Sequence, residues 1–307
     1  MLRIDMVDRI IQKLKHNLKD TIIKAVIFVI FFSYAVSLIY PLFWIGLNSL
    51  KTKFEFLSDV FSLPKNPQWD NYTLALVRFK VTVGAGDWAK EVNMLGMFLN
   101  SIILTAGATF GEIFFSALAA YTVCFYRFPL RRALYSIIIF TLVVPLVGTL
   151  PAMYKFMNDI GLIDTIPGVM FLYANGIGFS FILLYGSFQN LSWSYAEAAK
   201  VDGAGHFRTY FQIMMPLSLP FITAAAIIAA IGFWNNYETP AIFLQSYPTV
   251  SVGVNTIIIQ VQRSSVDRNN YPLMFSSMII TVIPIIILFA AFQKTIMKNM
   301  VAGGLKG

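Results

Sequence analysis

Six apolar stretches, at 22–48, 97–124, 133–155, 167–189, 217–238 and 272–293, dominate this 307-residue chain. Each is long enough for a helix to cross a bilayer, which takes about 20 mostly apolar residues. Inside hydrocarbon every backbone N–H and C=O must be bonded within the protein, so only helices and closed barrels can span. These runs are close to unbroken, without the alternation of barrel strands. The sequence therefore predicts an all-α polytopic membrane protein with six transmembrane helices. Composition agrees: 57% of residues are hydrophobic and 12% charged, with a mean hydropathy of +0.69, whereas soluble domains carry about 25% charge.

An even number of spans puts both termini on one side. The segments on that side hold 14 of the 23 Lys and Arg residues and five acids, among them Arg127, Arg131 and Arg132 in the loop after the second span. Excess positive charge marks the cytoplasmic face. The expected layout is a cytoplasmic N-terminal segment (1–20), a first transmembrane helix (21–48), an extracytoplasmic loop (49–96), a transmembrane core (97–293) and a cytoplasmic tail (294–307). The core includes a cytoplasmic loop at 190–216 and an extracytoplasmic loop at 239–271. Ile4, Ile10, Ile11, Leu14 and Leu18 recur at roughly helical spacing, which fits an amphipathic helix lying on the inner membrane surface; a solvated tail is the alternative. The first apolar run is too long for a signal peptide and lacks a small-residue cleavage site, so it is expected to be an uncleaved anchor.

Several chemistries have no residues to carry them. The sequence has no Gly-x-x-x-x-Gly-Lys phosphate loop, and indeed no Gly-Lys pair; Gly84–Gly86 and Gly176–Gly178 lack a third glycine. There is no His-Glu-x-x-His or Gly-x-Ser-x-Gly motif. One cysteine (Cys124) and two distant histidines (His16, His206) offer neither a disulfide framework nor a metal cluster. The net charge of +8 is spread over membrane loops rather than a basic patch, so no nucleic-acid partner is expected. No catalytic residues and no cofactor or metal bound by this chain are expected, and the chain is read as a non-enzyme.

The loop at 190–216 carries more turn chemistry than a simple connection needs. Ser194-Tyr195-Ala196-Glu197 reads as a capping box. Alanines and Lys200 then favour helix, and Gly203 suits a left-handed helix end. A second helix from about His206 to Met214 would place Phe207, Tyr210, Phe211 and Met214 on one face. The expectation is helix, glycine turn, helix. Within it, Glu197-Ala198-Ala199, Gly203, Ile213 and Pro216 match the EAA signature of permease subunits in ABC importers, with Met215 where leucine is usual. Ala119-Ala120-Tyr121 followed by Tyr126-Arg127-Phe128-Pro129 resembles the corresponding segment of carbohydrate-uptake permeases. The ending Ala302-Gly303-Gly304-Leu305-Lys306-Gly307 is similar to the tail of the second, maltose-type permease.

The resemblance implies a type I ABC importer permease fold in a bacterial cytoplasmic membrane, with both termini cytoplasmic. It also implies a second homologous permease subunit, two ATP-binding subunits that hold ATP and Mg, and an extracytoplasmic solute-binding protein delivering a sugar. Glu197, Ala198, Ala199, Asp202, Gly203, Ile213 and Pro216 would couple to the ATPase subunit, with Gly303, Gly304 and Lys306 of the tail reaching between the two ATPases. A non-sugar solute, such as a polyamine or phosphorylated compound, remains open. So does an ion-coupled carrier, although such a carrier would need no EAA loop.

Sugar recognition calls for aromatic faces and for amide and carboxylate groups. Trp234-Asn235-Asn236-Tyr237-Glu238 supplies them at the outer end of the fifth span, with Tyr173 and Asn175 as further candidates for the substrate pathway. Interfacial Trp and Tyr belts explain the aromatics equally well. Glu112 is the one clear carboxylate inside a span; it is a pathway candidate by its cost in lipid, or else a structural tie between helices. Gly107-x-x-x-Gly111 and Ala225-x-x-x-Ala229 permit close helix packing, either between permeases or within this one.

Overall fold

The second apolar stretch forms the axis of the molecule. The computed structural model describes residues 2–84, 89–144, 148–263 and 269–304, and for 2–19, 78 and 295–304 the backbone alone. Helix α4 (Met94–Phe125) starts where the Asn93 side chain accepts from the Gly96 amide, 2.9 Å. Against it pack α7 (Ile166–Tyr173), α8 (Phe179–Gln189), α12 (Leu219–Asn235) and α14 (Val250–Arg263). Gly107 and Gly111 permit the approach of α7: a Cβ on Gly107 would come within 2.3 Å of Met170, and one on Gly111 within 2.8 Å of the Ala174 Cβ. The small-residue motif thus packs within the subunit. Ala225 is buried and Ala229 packs beside it, in the cluster that joins α4, α8 and α12.

Among the described residues three helices are each long and apolar enough to cross a membrane: residues Asp20–Ser49 of α1 (Leu2–Ser49), α4, and Tyr271–Lys294 of α15 (Tyr271–Gly304). At 1.5 Å per residue, α1 is about 72 Å long, more than twice the hydrocarbon thickness. Residues 2–20 therefore continue the helix beyond the span without a break. Likewise α15 runs on past Lys294 through Gly303 and Gly304; Lys306 lies outside the described residues.

The other three predicted spans are interrupted. The third is α5 (Arg131–Val143) followed by α6 (Leu150–Asp159), with Gly148 left-handed at φ +85° between them. The fourth is α7 and α8, parted at Gly176, φ +66°, whose Cβ would clash with the Phe115 backbone. Hydropathy alone sees these runs as continuous, because the glycines that break them are not polar. The fifth enters through a 76° bend between His206–Leu217 and α12.

The outer loops are folded. After α1 come α2 (Lys53–Ser58), α3 (Asp70–Arg78) and an antiparallel hairpin of β1 (Lys80–Val83) and β2 (Lys90–Asn93). The end of α1 is closed by Asn71, which donates to the Ser49 and Lys51 carbonyls, 2.8 and 2.9 Å. Trp44, Phe56 and Phe275 then form an aromatic cluster joining α1, α2 and α15. Trp88 lies outside the described residues. The expected loop at 239–271 contains α13 (Glu238–Phe243) and α14, which account for most of its described length.

Candidate functional site

The loop between the fourth and fifth apolar stretches folds as helix, turn and helix. Helix α9 (Ser194–Val201) ends in a Schellman motif: Gly203 N–H donates to the Lys200 carbonyl, 3.0 Å, and Ala204 N–H to the Ala199 carbonyl, 2.8 Å. Gly203 takes φ +79°, as that motif requires. The capping box does not form. Ser194 already lies inside the helix, and its N–H donates to the Ser192 hydroxyl. Ser192, two residues upstream, therefore satisfies the helix start.

The return segment is α10 (His206–Thr209), a π turn (Tyr210–Met214) and α11 (Met215–Leu217). The π turn, bonded from Met215 N–H to the Tyr210 carbonyl, breaks the expected apolar face. Tyr210 and Met214 are buried at 3% and 0%, while Phe207 is 80% exposed; Phe211 is exposed as well. A wider turn rotates the two pairs apart.

The module is seated on the ends of α4 and α8. Ala196, Ala199, Tyr210 and Met214 face inward, and the Tyr121 ring lies 4.8 Å from Tyr210 and 5.6 Å from Phe188. Trp193 stacks on Phe125 at 5.0 Å, and the Lys200 ammonium lies over the Trp193 ring, 4.9 Å from its centre. Tyr126 Oη and His206 Nδ1 share a 2.8 Å hydrogen bond that pins the turn to the end of α4. Burial pushes the Tyr210 hydroxyl up to about 12. Glu197, Ala198, Asp202, Gly203 and Pro216 are exposed, and Ile213 is partly covered. Ala199 faces the bundle, not the surface. Val201, 87% exposed, and Phe207 add an apolar outer surface that the motif did not point to. The arrangement is a stiff block with one face fixed to the bundle and the other free.

The outer candidates do not converge on one site. Trp234 is 8% exposed; its Nε1–H donates to the Thr281 carbonyl, 3.3 Å, and its own carbonyl accepts from Ser251. It is a strut between α12, α14 and α15. Asn236 ends α12, and its side chain accepts from the Thr239 amide, 3.0 Å. Glu238 sits exposed in the first turn of α13. Asn235 and Tyr237 instead line a cavity of about 290 Å³ with Ser251, Asn255, Met278 and Thr281. Neither Tyr237 nor Asn255 makes a side-chain hydrogen bond within the described residues. Asn255 and Ser251 come to this cavity from a different helix, α14, so nothing in the local sequence around 234–238 pointed to them.

Tyr173 packs its ring 4.4 Å from Phe233, and Asn175 turns the chain between α7 and α8 by accepting from the Ile177 amide, 2.9 Å. Glu112 accepts from the Ser180 hydroxyl, 2.8 Å, at the first turn of α8. It ties α4 to the broken span, where the positive end of the helix dipole favours a carboxylate. Among the described residues no group of three His, Cys, Asp or Glu side chains could hold a metal ion.

Known proteins resemble this chain over most of its length. The family model for the binding-protein-dependent transport system inner membrane component matches residues 112–301. The diacetylchitobiose uptake system permease protein NgcG of Streptomyces coelicolor is 29% identical, over 88% of this chain and 85% of its own. The arabinooligosaccharides transport system permease protein AraQ of Bacillus subtilis is 27% identical, over 96% and 100%. A bacterial ABC transporter involved in import of the acidic polysaccharide alginate matches in structure with a TM-score of 0.74 at 24% identity, covering 90% of this chain and 97% of that one. The fold, the turn at Gly203 and these likenesses lead to one statement: the chain belongs to the family of binding-protein-dependent transport system inner membrane components, the membrane permeases of ABC importers.

Proposed function

We propose that this chain is the transmembrane subunit of a bacterial importer that takes up an oligosaccharide delivered by an extracytoplasmic solute-binding protein. A second homologous permease completes the pathway, and two ATP-binding subunits supply the energy. The observation that carries the reading is the block at 194–217, anchored by Tyr210 and Met214 and free on its outer face. A helix locked at both ends transmits displacement without bending. Glu197, Ala198, Asp202, Gly203, Val201 and Phe207 form the surface that meets the ATPase, and Ala199 and Ile213 seat the block. ATP and Mg belong to the partner, and this subunit carries out no chemistry of its own. The excess of basic residues in these segments supports a cytoplasmic position for the block and both termini.

The cargo reading draws on relatives named for diacetylchitobiose, arabinooligosaccharides and melibiose, raffinose and stachyose. A phosphorylated solute is the second reading, since the sn-glycerol-3-phosphate permease UgpE of Brucella suis is 27% identical over 85% of this chain. Asn235, Tyr237 and Asn255 are the proposed contacts on the pathway, with amide and hydroxyl groups suited to sugar hydroxyls.

The test is purification of the tagged chain in mild detergent, with identification of every partner and of the binding protein's ligand. A second permease, an ATPase and a binding protein carrying an oligosaccharide are expected. Recovery of the chain alone, still able to transport after reconstitution, overturns the proposal.

A further inference from the structure

A polar cavity of about 440 Å³ opens between the end of α4, the start of α5 and α8, lined by Arg131, Arg132, Tyr135, Ser136 and Tyr185. It lies apart from the outer cavity and from the block at 194–217. Two guanidinium groups share it, yet among the described residues neither has a carboxylate within 4 Å. Arg131 spends one donor on the Cys124 carbonyl, 3.0 Å, which fixes it at the cavity wall. The Arg132 side chain makes no hydrogen bond within the described residues. A guanidinium carries five donors, so most of this capacity is unused.

Helix stability does not explain the pair. Both arginines stand in the first turn of α5, whose N-cap residue Leu130 has no capping side chain. Cations are unfavourable at that end of a helix, which attracts anions. The Tyr135 and Tyr185 rings, 4.9 Å apart, form an aromatic wall with their hydroxyls and the Ser136 hydroxyl available. The loop between the second and third apolar stretches puts these groups at the membrane surface, and the cavity sits between helices. Forked donors and hydroxyls around such a cavity match a tetrahedral phosphoryl group, and basic pockets between membrane helices hold anionic headgroups.

We propose that this cavity binds a phosphate-bearing anion, held by the Arg131 and Arg132 guanidinium groups against the two tyrosines. A phospholipid headgroup and free phosphate offer the same chemistry. The inference rests on the membrane placement of the chain and is independent of cargo and ATPase.

The experiment uses the intact complex purified through a tag on this chain, whatever its partners. Retained lipid is counted by native mass spectrometry after mixing with phosphatidylglycerol or phosphatidylcholine, and thermal stability is measured with inorganic phosphate in lipid-free detergent. Arg132→Gln leaves the Arg131 anchor in place, and Arg132→Lys keeps the charge but not the fork. If the source is lipid, Arg132→Gln retains phosphatidylglycerol at least about tenfold less well, the loss of one charge-assisted hydrogen bond. Phosphatidylcholine retention then stays equal, and Arg132→Lys falls between. If the source is free phosphate, lipid retention is equal and phosphate stabilises the wild type but not Arg132→Gln. Equal lipid retention, together with equal response to phosphate in wild type, Arg132→Gln and the Tyr135→Phe/Tyr185→Phe double variant, overturns the proposal.

Discussion

Where the chain enters α12, a run of some twenty residues forms a block closed on itself; where it leaves, five neighbouring residues scatter to different tasks. The internal shape of the entry block depends on contacts between residues a few positions apart: the Schellman bonds around Gly203, the π turn at Tyr210, and the Lys200–Trp193 contact. Its seat on α4 through Tyr121, Phe125 and Tyr126 is long-range. At the exit, Trp234 bonds Thr281, Asn236 caps α13, and Tyr237 shares a cavity with Asn255. A mechanical part can be local, because stiffness comes from short-range hydrogen bonds. A binding surface for a solute is assembled across helices, and its partners are distant in sequence.

The comparison breaks most readily at Gly203. Proline there, with φ fixed near −65°, cannot adopt +79°. Uptake and transport-coupled ATPase should fall to background while membrane insertion, followed by fractionation, is unchanged. Alanine meets open space at this position and pays only the left-handed cost of about 1–2 kcal/mol, so uptake should be reduced and measurable. Normal uptake by the proline variant would remove the coupling role.

Trp234→Ala tests the exit end as structure. A buried aromatic truncated in a core costs about 3–5 kcal/mol. Lower yield and a lower melting temperature of the complex are expected, with KM for uptake unchanged in the surviving fraction. A raised KM at normal stability would instead make Trp234 a ligand contact.

Asn255→Ala and Tyr237→Phe should do the reverse. Each removes one solute hydrogen bond worth about 0.5–1.5 kcal/mol, so KM should rise a few-fold with the melting temperature unchanged. Unaltered uptake kinetics in both would exclude this cavity from the pathway. The smallest effect is expected at Tyr210→Phe. The Tyr210 hydroxyl is buried without a hydrogen-bond partner among the described residues, so its removal should leave coupling intact and raise stability by about 1 kcal/mol at most. Impaired coupling would give the hydroxyl a role in docking.

Legibility in the sequence followed the same division. The helix–turn–helix and its left-handed glycine were readable from Ala-rich helix formers and one Gly. The capping box failed although its pattern was complete, because Ser192 offered an alternative acceptor two residues earlier. The shared apolar face of Phe207, Tyr210, Phe211 and Met214 failed because a π turn, which no local pattern announced, changes the period. His206 and Tyr126 meet across 80 positions, and nothing near either residue signals the other.

The sequence by itself determined that this chain lives in a membrane, that its backbone is helical there, and which segments are charged enough to stay out of it. Those properties follow from transfer free energy and from the cost of an unpaired backbone, both summed over consecutive residues. Tertiary structure decided where the apolar runs break, that Gly107 and Gly111 serve α7, that Glu112 is tied to Ser180, and which polar groups share a cavity. These depend on distances between residues far apart in the chain, and such distances are settled only when the helices pack.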